Sequence, residues 1–198
     1  MDYDRLEKDV VARLRKELSP ELLYHQVEHT LEVIKAAEQI GRGEGVSEDE
    51  LKLLKTAAVL HDSGFLECPC LYEPLACEIA DKMLPESGYT PEQIKMIDGM
   101  IMSTAIPHTP QCFLGKTLCA ADLPYLGGDE ALPHTDNLRT ELSQALNRKF
   151  TDLEWVDFQL MFLNKHEFFT AYARKKFGAG KKRYVAYLNA QKKALEKE

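Results

Sequence analysis

Apolar residues return every three or four positions along nearly the whole chain, and no alternating β-branched run interrupts them. That rhythm commits the chain to helices rather than to a sheet. Val10, Val11, Leu14 and Leu18 form a first stripe, and Ser19-Pro20 ends that helix and opens the next. Val27, Leu31, Ile34 and Ala37 mark a second, which stops near the glycine-rich stretch 41–45. Ser47, with Glu50 three residues on, predicts a capping box at the start of a helix from Asp49 to His61, and Gly64 follows its end. Further helices are predicted over Pro74–Leu84, Pro91–Ser103, Leu114–Leu126, Thr135–Leu146, Leu153–Lys176 (in one or two pieces) and Lys181–Lys197. Short connections punctuated by Pro and Gly favour a helical bundle, and 198 residues suit one core. The expected class is therefore an all-α, single-domain bundle spanning 1–198.

Composition narrows the partners. A formal net charge of -7 argues against a nucleic-acid duplex, whose phosphates demand a surplus of Lys and Arg. It leaves room for a small phosphorylated ligand, which needs only a local positive site. No apolar run reaches the ~20 residues of a membrane span. The N-terminus, MDYDRLEKDVVARL, is charged from its second residue and lacks the apolar centre of a signal peptide, so the expected location is the cytoplasm. The five cysteines are an odd number without a secretory signal, so reduced thiols are expected rather than a disulfide framework. Cys68-Pro69-Cys70 with Cys77 lacks the second cysteine pair of a structural zinc site.

The chemistry-bearing residues lie on the apolar stripes. His25 and His29 are four apart, which on a helix puts them on one face, one turn apart. His29 continues a stripe of Val33, Ala36 or Ala37, and Ile40 that turns inward. His61 completes another with Leu54 and Ala57 or Ala58, and Asp62 follows at once. Asp122 stands in the otherwise apolar segment Leu118–Leu123. Singly, each could be a hydrogen-bonded core histidine or a capping carboxylate. Together they are harder to explain that way, because burying several ionisable groups is costly unless they pair or bind a metal. Imidazole and carboxylate suit Zn, Mn, Fe, Co or Ni.

The order Tyr24-His25, His29-Thr30, His61-Asp62-Ser63-Gly64-Phe65 and Ala121-Asp122-Leu123-Pro124-Tyr125-Leu126-Gly127 resembles the HD superfamily, defined by a His, a His-Asp doublet and a distant Asp. The resemblance extends through 72–80, Ile101–Pro110 and Phe162–Tyr172, so that it runs from about residue 20 to about 190. It implies packed helices of the HD-domain type, with a metal-binding core at about 20–130 and C-terminal helices at about 131–198 packed on it. It implies that His29, His61, Asp62 and Asp122 hold a divalent metal (Mn, Mg, Fe, Co, Ni or Zn) from three helices. The implied activity is hydrolysis of a phosphomonoester or phosphodiester, commonly of a nucleotide, by a metal-activated water.

The chain departs from the pattern at two places. Relatives often carry His where this chain has Tyr72, and Asp-Ala-Asp-Leu where it has Ala120-Ala121-Asp122-Leu123. One ion is therefore expected rather than two. His108 could replace a lost ligand, but its place between prolines favours a surface loop. The acid that some relatives carry soon after the doublet is absent. Glu67 and Glu73 are the nearest, each more readily a solvated carboxylate. Glu73 is the first choice for a catalytic acid, and Asp62 could itself orient the attacking water. Arg42, Lys116, Lys165 and the run Lys175–Arg183 are the cations that could meet a phosphate. His166 matches the family's C-terminal segment as a structural residue or one behind the ligands. Two alternatives remain open: a non-catalytic nucleotide- or phosphate-binding module, and an HD-type di-iron oxygenase, which would need further His ligands.

Overall fold

The computed structural model describes residues 1–68, 72–128 and 131–197, and every regular element among them is helical. Nine α-helices follow in order: α1 (Tyr3–Glu17), α2 (Val27–Glu44), α3 (Glu48–Leu60), α4 (Tyr72–Met83), α5 (Pro91–Met102), α6 (Phe113–Asp122), α7 (Ala131–Ala145), α8 (Asp152–Lys165) and α9 (Ala171–Leu195). Single 3-10 turns occupy Ser63–Leu66, Pro85–Ser87 and Pro124–Gly127.

Local chemistry fixes several starts. Ser47 and Glu50 form the reciprocal capping box expected at α3, and the same device opens α5 (Thr90 with Gln93) and α8 (Thr151 with Glu154). Pro91 takes the first helical position of α5, where its missing N–H costs nothing. α2 ends at Gly45, whose φ of 76° is left-handed.

The core forms where α2 packs against α3 and α6, and α5 packs against α3 and α6 in turn. Ile40, Leu54, Leu60, Ile97, Ile101 and Leu118 are fully enclosed there. α4 lies against α5 and the Ser63–Leu66 turn, and α8 and α9 pack together. α9 also crosses the 124–127 turn, directly after α6.

Three sequence expectations change. The segment before α2 is not helical, so His25 precedes the helix that carries His29. The predicted 153–176 segment is in two pieces separated at 166–170, as its sequence allowed, but the second piece runs unbroken into the predicted last helix as α9. Gly178 and Gly180 lie inside this continuous helix. Gly180 permits a close crossing, since a Cβ there would lie 1.7 Å from the Gly127 carbonyl oxygen. Finally, Cys68 is disulfide-bonded, contrary to the expectation of reduced thiols, whereas Cys77, Cys112 and Cys119 are free. Pro69 and Cys70 of the Cys-Pro-Cys motif lie outside the described residues.

Candidate metal centre and adjoining cavity

Three elements deliver the central cluster. His29 projects from the first turn of α2, His61 and Asp62 follow the last turn of α3, and Asp122 is the final residue of α6. Ligand atoms of His29, His61 and Asp122 all lie within 4.8 Å of one another. Asp122 Oδ1 is 3.1 Å from His29 Nε2 and 3.5 Å from His61 Nε2. Asp62 Oδ2 is 3.4 and 3.2 Å from the same two nitrogens. All four residues are buried.

The donor set fits a divalent ion. His61 Nδ1 donates to the Ala58 carbonyl at 2.8 Å, which fixes the tautomer and turns Nε2 toward the carboxylates. His61 Nε2 and Asp62 Oδ2 are buried and, among the described residues, outside hydrogen-bond geometry with any partner. Buried polar atoms left so are costly, and a cation shared between them satisfies both. Burial opposes charge here, but the imidazoles hold Asp62 and Asp122 below the usual carboxylate range. The two carboxylates in turn raise the pKa of His61.

Gly64 explains why the chain turns so tightly after the doublet. A Cβ at this position would lie 1.9 Å from the Tyr72 carbonyl oxygen. Tyr72 thereby stacks on Phe65 at 4.2 Å between ring centroids, and Phe65 stacks on His25 at the same separation.

His25 stands beside the cluster, its ring 6.2 Å from that of His29. Glu141 of α7 holds it. One carboxylate oxygen pairs with His25 Nδ1, and the other accepts the backbone N–H groups of Tyr24 (2.8 Å) and His25 (3.2 Å). Burial disfavours the imidazolium, yet Glu141 and Asp62 more than offset it and raise its pKa. No sequence signal pointed to Glu141, which sits in an ordinary polar stretch of helix.

His108 corrects an expectation. Its side chain is 4% exposed, not on the surface, and Nε2 lies 3.6 Å from Asp122 Oδ2. His166 is buried too, its ring 6.0 Å from that of His108. Among the described residues, neither ring has a hydrogen-bond partner at either nitrogen. Lys181, from the run expected to meet a phosphate, donates instead to the His166 carbonyl. Burial, with Lys181 and His108 nearby, pushes the His166 pKa down to about 3.

This bears on stability. An unfolded His takes up a proton near pH 6.5, and the folded one resists until about 3. Below about pH 6.5 the unfolded chain thus binds more protons, and stability falls as pH drops. His166 should contribute a loss of about 2 kcal/mol between pH 7 and pH 5. Urea midpoints of wild type and His166→Gln at both pH values measure it; an equal pH drop in the two proteins would contradict this assignment.

The remaining candidates fall elsewhere. Glu73 is buried rather than solvated, with its pKa raised first by burial, but it does not line the cavity described next. Glu67 is exposed and paired with Arg13. Lys116 and Lys165 are exposed and stand apart from the cavity, and Arg42 is engaged by Glu38 and Glu48.

A cavity of about 300 Å³ opens onto Asp62 and Asp122. Its walls come from the segment before α2, the Phe65–Tyr72 stack, and α7, α8 and α9. It is predominantly apolar, and it includes His25 and Glu141.

No protein-family model and no curated protein matches the chain. Among solved structures, the crystal structure of a predicted HD superfamily hydrolase from an uncultured Thermotogales bacterium superposes with a TM-score of 0.60. The two are 18% identical, and the match covers 96% of this chain and 91% of the other. The chain therefore shares the all-helical fold of that protein, the packed-helix arrangement that the motif resemblance implied.

Proposed function

We propose that this HD-fold chain is a metal-dependent phosphohydrolase acting on a small phosphoester. The observation that carries the reading is the convergence of two imidazoles and two carboxylates beside a predominantly apolar cavity that Asp62 and Asp122 line, with His61 Nε2 and Asp62 Oδ2 buried and unpartnered among the described residues. His29, His61 and Asp122 would hold one divalent ion, with Asp62 completing the set. Such an ion supplies Lewis-acid polarisation of a phosphoryl oxygen and a water of lowered pKa.

The chain's own groups supply the rest. Hydrolysis places the water oxygen on phosphorus, breaks the P–O ester bond, and returns a proton to the departing alcohol oxygen. Asp62, facing the cavity, is suited to accept a hydrogen bond from the water and orient it. His25 is better placed than Glu73 to protonate the leaving oxygen. It lines the cavity and Glu141 fixes its Nδ1, leaving Nε2 for the substrate. Closure by α7 and α8 limits water around the ester.

His108, beside Asp122 Oδ2, is where a second ion would find an imidazole, so metal stoichiometry is part of the test. We expect one equivalent of divalent metal in the purified protein and metal-dependent phosphate release from a panel of phosphomonoesters and phosphodiesters, nucleotides included. Asp62→Ala should lower turnover at least about a hundredfold. Saturable binding without turnover would favour a non-catalytic module, and two iron equivalents would favour the oxygenase chemistry.

A further inference from the structure

The cavity is specific in what it lacks. Among the described residues, no Lys or Arg lines it. Its wall carries Phe65, Tyr72, Trp155, Phe158 and Phe162, with leucines of α7 between them. Its polar groups are largely engaged with one another. The Tyr24 hydroxyl donates to that of Tyr125 at 3.2 Å. Tyr184 pairs with Gln159 and, at 3.0 Å, with Thr135. Glu141 is taken up by His25 and two backbone N–H groups.

Such a wall discriminates. A ribose, a base edge or an additional phosphate would lose its water and find few free partners, and unpaired buried polar groups strongly weaken binding. An apolar body loses nothing comparable and gains from the burial. An engineered apolar cavity of ~150 Å³ accommodates benzene; about 300 Å³ suits a body of one or two rings.

We infer that the substrate is a monophosphate ester of an uncharged, predominantly apolar alcohol, aromatic or similarly bulky, rather than a nucleotide. This rests on the phosphohydrolase reading and narrows it. The phosphoryl group sits toward Asp62 and Asp122, and the organic body fills the space between the Phe65–Tyr72 stack and α8. Cleavage consumes one water and releases the apolar alcohol and inorganic phosphate.

Trp155 is the chain's single tryptophan and lines this wall, so its emission reports occupancy independently of turnover. Nitrobenzene, an uncharged aromatic quencher, should quench metal-stripped protein saturably, and tryptophan in free solution only in proportion to concentration. In metal-loaded protein, kcat/KM for 1-naphthyl phosphate should exceed that for adenosine 5′-monophosphate by about tenfold or more. Leu142→Arg places a cation on the half-buried face of α7 that meets the cavity. It should weaken nitrobenzene binding and narrow the preference about tenfold. Leu138→Arg serves the same purpose should the first variant not fold. A preference for the nucleotide, or purely linear quenching, would overturn the inference. Saturable quenching with no hydrolysis of any ester would sink the phosphohydrolase reading while leaving the apolar occupant supported.

Discussion

Replacing Asp122 with alanine should remove the bound metal and lower kcat/KM on a cleaved phosphoester by about a thousandfold or more. Asp122 is the hub of the cluster: His29 and His61 approach one of its oxygens, and His108 the other. Losing the group that activates water and stabilises phosphoryl charge sacrifices several kcal/mol, and about 4 kcal/mol corresponds to a thousandfold. Three buried imidazoles would also lose their shared counter-charge, which destabilises the fold in its own right. Asp122→Asn separates the effects, since it keeps shape and hydrogen bonding but not charge. Metal analysis and kinetics on both variants give the answer. Full metal content and near-normal turnover in Asp122→Ala would refute the centre proposed here.

The second large effect concerns stability. Gly180→Ala should cost about 3 kcal/mol, or about 6–12 °C in Tm for a domain of this size. The added Cβ would meet the oxygen, carbon and Cα of Gly127 at 1.7, 2.4 and 2.9 Å, and all three are backbone atoms that no rotamer change can move. α9 must lift away from the turn that immediately follows Asp122. Gly178→Ala, two residues earlier on the same helix, is the matched control, because nothing lies within 4 Å of its added methyl. Alanine should be neutral there or stabilising by about 0.5–1 kcal/mol through helix propensity. Equal melting temperatures for the two variants would contradict the close crossing.

These cases show what the sequence made legible. The helices at α3 and α5 were readable because capping chemistry is local: Ser47 with Glu50, and Pro91 at a first position. His29, His61, Asp62 and Asp122 were readable because they sit on or beside inward-facing stripes with recognisable flanks. His108 was not, because a loop has no periodicity from which to read burial. Glu141 was hidden for another reason. Its neighbours 139–144 are mostly polar, and only the tertiary approach of α7 to the start of α2 gives its carboxylate a role. The role of Gly180 was not legible either, because the approach of α9 to the Gly127 backbone is a tertiary contact with no local signature. The aromatic wall of the cavity was likewise scattered over residues 65 to 162 and is assembled only by packing.

The order in which the pieces occur along the chain has a consequence for synthesis. Every residue of the His/Asp cluster has been translated by position 122, whereas the cavity still awaits Tyr184, whose hydroxyl ties α7 to α8 through Thr135 and Gln159. Roughly 60 residues separate Asp122 from Tyr184, or about 3–12 s at ordinary translation rates. All four proposed ligands thus emerge from the ribosome before the residues of α8 and α9 that complete the cavity wall.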